Sequence, residues 1–212
     1  MCRVRQTVEM TLTSEKLRKT AGEGPSPLVT VIAWAGVSLF LILVAVATAP
    51  FGSFFIGTGQ VAIISATHGL LATLGVLVGT VTSYLGWRLF TGRLKAFGDL
   101  KILSLISTFI AVATIIFGNW IYIAYRAPGG PRAFFMKENP AIHGIFFEFK
   151  EFIALFTLPL AVASTYVIWK YGDELVENKA LRTLVGIAFA VAWASLMIAY
   201  LLGAGITKMR SL

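Results

Sequence analysis

The chain contains few charged residues and almost no cysteine. Only 13% of its 212 residues are charged, and Cys2 is the single cysteine. One cysteine excludes a disulfide framework, a zinc site built from several cysteines and dithiol redox chemistry. Glycine-rich phosphate loops, Gly-x-Ser-x-Gly elbows and His-Glu-x-x-His motifs are absent as well. The sequence therefore carries none of these common enzyme motifs.

Apolar residues are correspondingly frequent in the chain. They make up 57% of the chain, with a mean hydropathy of +0.81, whereas a soluble domain has about 45–50% apolar residues. The net charge is +8, but the basic residues lie between apolar segments, and no nucleic-acid module accompanies them. We therefore predict an integral membrane protein whose partner is the lipid bilayer, and no nucleic-acid partner.

Several apolar segments are long enough to cross a bilayer, which takes about 20 residues of helix. They are far longer than the roughly ten residues of a membrane strand, so the predicted fold class is all-α and polytopic, a bundle of about five transmembrane helices. Residues 1–27 are predicted to form a cytoplasmic tail, and residues 28–212 the transmembrane domain. The predicted spans are Leu28–Ala49, Val61–Trp87, Ile102–Tyr125, His143–Trp169 and Thr183–Ile206.

The distribution of Lys and Arg predicts the orientation of the chain. Most of them lie in the N-terminal tail, between spans two and three, and between spans four and five. The positive-inside rule places these segments in the cytoplasm. The prediction is a multi-pass protein of the cell inner membrane with a cytoplasmic N-terminus and an outer C-terminus.

Small and polar residues recur every three or four positions along span two, so they share one face of the helix. Gly75 and Gly79 on this face form a small-xxx-small pair that lets another helix approach closely. The structural interpretation is helix packing. The functional interpretation is a flat cofactor lying on this face with His68 as its ligand.

A layer of polar residues is predicted near the outer boundary. Counting about 20 residues outward from the inner end of spans two, three and four reaches the depth of this layer. Ionisable groups at membrane depth are costly, so they favour a site over a lipid-facing position. Besides His68, the layer contains Asn119, Arg126, Glu148, Lys150 and Glu151.

The two histidines suggest a cofactor. His68 and His143 are the only histidines and lie on the outer side of different spans, as axial ligands of a heme b would. Their levels differ by about 10 Å, so span four would have to tilt for both rings to reach one iron. A quinone site is an alternative that uses the same residues, and it does not require both imidazoles to reach one metal ion. A third alternative is a metal bound by His143, Glu148 and Glu151.

Three functions follow from these alternatives. The chain is predicted to be a subunit of a respiratory-type membrane electron-transfer complex, associated with other membrane subunits and binding heme b or quinone near the outer face. The first alternative is a small proton-coupled transporter gated by Glu148, Lys150 and Glu151. The second is a structural membrane subunit without an active site of its own, packed through its glycine face.

Overall fold

A computed structural model describes residues 24–31, 33–35, 37–38 and 60–210. Within these ranges the chain is helical, with short turns between the helices and no strand. Of the first predicted span, Leu28–Ala49, the residues up to 38 that are described are helical, and the remainder lies outside the described ranges. Most of the predicted tail 1–27 lies outside them too.

Four long apolar helices form the body of the described chain: α1 (Gln60–Phe90), α2 (Phe97–Arg126), α4 (Glu148–Lys170) and α6 (Lys179–Met209). Two shorter helices connect them, α3 (Pro131–Glu138) between α2 and α4, and α5 (Gly172–Glu177) between α4 and α6. A π-helical segment, Ile142–Phe147, leads directly into α4. Each long helix has the length and composition to cross a membrane. The protein is an all-α, multi-pass membrane bundle.

The long helices form a four-cornered bundle. Helix α1 packs against α2 and α6, and α4 packs against the same two helices from the opposite side. Consequently α1 and α4 lie on one diagonal of the bundle, with space between them. We call the two ends of the bundle the His143 end, where α4 begins, and the Phe97 end, where α2 begins.

The Phe97 end is closed by a hydrophobic cluster. Phe97, Leu100, Ile168, Leu175 and Val185 are all at most 2% exposed there. The cluster joins α2, α4, α5 and α6, so burial of apolar surface fixes how these helices meet. The polar tract after α4 forms the short helix α5, and its apolar residues Leu175 and Val176 pack into this cluster.

The predicted spans agree with the helices, but the helices are longer. Span two, predicted as Val61–Trp87, is observed as Gln60–Phe90, and span three, predicted as Ile102–Tyr125, is observed as Phe97–Arg126. The helical backbone hydrogen bonds continue into the polar residues at the ends of each apolar segment. Each helix is therefore longer than the segment that predicts it. The described chain contains four such spans; a fifth could only be completed in residues that the structure does not describe.

Helices α1 and α6 approach each other most closely near the Phe97 end. A Cβ atom built on Gly186 would lie 2.7 Å from the Cβ of Phe90, and one built on Gly86 would lie 2.9 Å from the ring of Phe189. These distances are shorter than carbon–carbon contact allows. Glycine at these two positions permits the crossing.

We therefore expect Gly186→Ala to destabilise the bundle. Alanine favours helix over glycine by up to about 1 kcal/mol, but overpacking against Phe90 costs about 1–3 kcal/mol. Gly205→Ala in the same helix is the matched control, because nothing lies within 4 Å of its built Cβ. Thermal unfolding in detergent should show a lower midpoint for Gly186→Ala than for the control; equal midpoints would contradict the proposed close approach.

Candidate functional site

His68 is fixed by a hydrogen bond to the backbone of the neighbouring helix. Its Nδ1 lies 2.9 Å from the carbonyl oxygen of Thr114, and its Cε1 lies 3.1 Å from the Cβ position of Gly118. A carbonyl oxygen only accepts, so Nδ1 donates, and Nε2 of the neutral ring presents its lone pair. The absence of a side chain at Gly118 makes room for the ring. His68 is therefore held in one tautomer, with Nε2 able to accept a hydrogen bond or bind a metal.

A cavity lies between the four long helices, and His68 is not among the residues that line it. The space among its lining residues comprises about 650 Å³ free of atoms, which includes the openings between the helices. Thr114, whose carbonyl bonds His68, is one of its lining residues. Small side chains create the space: Gly75, Gly79, Ala111, Ala154, Ala161 and Ala192.

The cavity wall also contains hydroxyl groups, and most of them are already bonded. Thr82 bonds Ser107 at 2.9 Å, Ser83 donates to the Phe189 carbonyl, and Thr114 donates to the Ile110 carbonyl. The hydroxyl of Thr157 is buried and has no hydrogen-bond partner among the described residues. The cavity is thus mainly apolar, with few polar groups exposed to it.

His143 lies in a separate cluster above the cavity. Its side chain is buried, with Nδ1 3.0 Å from the Tyr125 hydroxyl and Nε2 3.1 Å from Nε of Arg132. An arginine Nε only donates, so Nε2 accepts and Nδ1 of the neutral ring donates to Tyr125. The Glu148 carboxylate lies 3.4 Å from the same Nε2. Both ring nitrogens are therefore engaged by side chains of the protein.

The structure does not bring the two histidines together. His68 contacts Gly118, whereas His143 contacts Tyr125, seven residues further along α2. Seven residues of α-helix correspond to about 10 Å. The heme hypothesis would therefore require a shift of α4 and the loss of the hydrogen bonds of His143 to Tyr125 and Arg132.

The other residues of the predicted polar layer have different positions. Lys150 is partly buried, with Cε 3.4 Å from the Cβ position of Gly203 and Nζ 5.2 Å from the centre of the Phe147 ring. Asn119, Arg126 and Glu148 are exposed. Thus Lys150 and Glu151 are partly buried, while the remaining three lie at the surface of the bundle, where Glu148 contacts His143.

A stack of aromatic rings packs the His143 end. The rings of Tyr125 and Phe147 are parallel with centroids 4.1 Å apart, and Tyr122 stacks beside them. The guanidinium of Arg126 lies 4.5 Å from the centre of the Tyr122 ring. The extra residue per turn of the π-helical segment changes which side chains face this stack, a feature often found at functional sites.

Several contacts of the site could not be found by sequence reasoning. The Thr114 carbonyl is a backbone group, and Arg132 reaches His143 through a helix, α3, that the sequence did not predict. The hydroxyl of Thr157 lies two residues before Pro159 but carries no recognisable pattern. In the part of the chain that the structure describes, no group of three His, Cys, Asp or Glu side chains is arranged to bind a metal.

No protein-family model, curated protein or solved structure matches this chain. The function must therefore be argued from the site itself.

The contact between Arg132 and His143 predicts a role for Arg132 in fixing α3. We expect Arg132→Gln to speed amide hydrogen exchange in α3 by about tenfold, because the buried imidazole loses a charge-assisted hydrogen bond. Lys137→Gln on the same helix is the matched control, since its side chain is 84% exposed. Equal exchange rates in the two variants would show that the contact does not stabilise α3.

Proposed function

We propose that the chain is a quinone-binding subunit of a membrane electron-transfer complex. The observation that carries the proposal is the hydrogen bond from His68 to the carbonyl of Thr114, a residue that lines the cavity, which leaves Nε2 of the same ring to accept a further hydrogen bond. A quinone-type molecule has an aromatic ring and an apolar tail, which an apolar cavity accommodates. Its oxygens require a small number of fixed polar partners, such as this imidazole.

The tautomer of His68 favours the reduced form of such a molecule. Nε2 accepts a hydrogen bond from a quinol hydroxyl but has no proton to donate to a quinone carbonyl. The Lys150 ammonium, which could donate, lies against the Phe147 ring. We therefore infer that the site binds quinol more tightly than quinone. Oxidation of the quinol releases two electrons and two protons, and in this proposal a redox centre of a partner subunit accepts the electrons.

Calorimetric titration with a 1,4-dihydroxybenzene carrying a ten-carbon tail tests this proposal. The purified protein in detergent, kept without oxygen, should bind the quinol about tenfold more tightly than the oxidised quinone, since only the quinol pairs with Nε2. His68→Phe should remove most of this preference.

The matched control is His143→Phe, which removes the other imidazole about 10 Å away. It should leave the preference unchanged, provided that the variant remains monodisperse. Absence of quinol binding to the wild-type protein, or an equal loss of preference in both variants, would contradict the proposal.

The heme hypothesis is tested by the absorption spectrum of the same preparations. A heme ligated by both histidines predicts a b-type band after reduction with dithionite that is lost in His68→Phe and in His143→Phe. Because both nitrogens of His143 are engaged by Tyr125 and Arg132, we expect no such band in the wild-type protein or in either variant. A band that is present in the wild-type protein and lost in both variants would favour heme over the quinol site.

A further inference from the structure

Thr157 carries the buried hydroxyl of the cavity that the described residues leave without a partner. Its side chain is 8% exposed, it lines the cavity, and its Oγ1 forms no hydrogen bond in the described part of the chain. A threonine in a helix usually satisfies its hydroxyl by donating to the carbonyl four residues earlier, as Thr114 does. Thr157 makes neither this bond nor any other among the described residues, so its hydroxyl is available to an occupant of the cavity.

The depth of Thr157 follows from the pairing of α2 with α4. These helices are antiparallel, and their register is fixed by a hydrogen bond of 2.9 Å between Thr108 and Thr165 and by one of 3.1 Å from Trp169 to the Lys101 carbonyl. Counting along both helices from these contacts brings Thr157 to about the depth of Thr114.

His68 lies slightly nearer to the His143 end. Its ring spans from the Thr114 carbonyl to Gly118, which is one helical turn further along α2. One turn corresponds to about 5–6 Å. His68 and Thr157 therefore differ in depth by no more than about one turn.

The two residues also belong to helices that face each other across the bundle. His68 is on α1 and Thr157 on α4, and these helices occupy one diagonal of the bundle. Thr157 and Thr114 line the cavity and His68 bonds the Thr114 carbonyl, so a ligand that extends from Thr157 past Thr114 toward α1 would meet the hydroxyl on one side and the imidazole on the other. An aromatic ring with two oxygens at opposite positions has this arrangement, whereas neighbouring oxygens would both face the same wall.

We propose that Thr157 binds the second oxygen of a 1,4-dihydroxy aromatic ligand whose first oxygen bonds to His68. The inference rests on the proposed quinol site and specifies its ligand class as a ring with oxygens in para positions. Thr157 is then a specificity-determining residue. Because a hydroxyl both donates and accepts, it pairs with this oxygen in the quinol and in the quinone.

The test compares two ligands in titrations of the purified protein. One is the ten-carbon 1,4-dihydroxybenzene, and the other is the phenol that lacks the second hydroxyl. We expect the wild-type protein to prefer the diol by about tenfold, since one further hydrogen bond forms in a buried site. Thr157→Val should bind the diol only as well as the phenol, and Thr157→Ser should restore the preference.

Ser83→Ala is the matched control. Ser83 lines the same cavity, but its hydroxyl donates to the Phe189 carbonyl at 3.2 Å. This variant should keep the preference for the diol. Thr157→Val should unfold no earlier than the wild-type protein without ligand, because it removes an unpaired buried hydroxyl.

The outcomes separate the two proposals. If the wild-type protein binds both ligands equally well, or if Thr157→Val keeps the preference for the diol, the inference about Thr157 is wrong while the quinol site stands. If the wild-type protein binds neither ligand, the proposed function is wrong, and the inference falls with it.

Discussion

Polar groups inside a bilayer have no water to bond with, so the protein itself must supply their partners. The hydrogen bond from His68 to the Thr114 carbonyl, 2.9 Å long, is where this constraint shapes the site most clearly. It uses Nδ1 of the ring to join α1 to α2 and leaves Nε2 able to accept a further hydrogen bond. The same constraint explains why Thr82 bonds Ser107 and why His143 is surrounded by donors and acceptors. A polar atom that the helices leave without a hydrogen-bond partner therefore indicates a candidate functional position.

The cavity and the closed Phe97 end arise from different packing. Near the Phe97 end, large side chains such as Phe97 and Phe189 fill the space between the helices. Further along, α1 presents Gly75 and Gly79, and α4 presents Ala154, so the helices are separated by small side chains that do not fill the bundle centre. Gly75 and Gly79 lie against side chains of neighbouring helices, as the helix-packing interpretation requires, and they also line the cavity, while a cofactor on this face stays a prediction.

The sequence predicts the fold better than the site, for physical reasons. Apolar segments of about 20 residues identify the membrane helices because the bilayer sets their length. The sequence also identifies His68 as a candidate site residue, because it is an ionisable residue within a membrane span. The partner of His68 is a backbone carbonyl, and the availability of Thr157 depends on a register between α2 and α4 that no local pattern encodes. The level difference between His68 and His143 is visible in the sequence, but the engagement of both His143 nitrogens depends on α3, whose eight residues have no membrane-helix pattern.

The central claim is that a quinone-type ring occupies the space beside His68 and Thr114. Photo-crosslinking with a quinone that carries an azide on its ring, followed by mass spectrometry of the digested protein, tests it most directly. We expect the label on residues that line the cavity, such as Ile110, Ala154 and Leu196. Label confined to the lipid-facing side, for example at the exposed Phe152 or Leu155, would contradict the account.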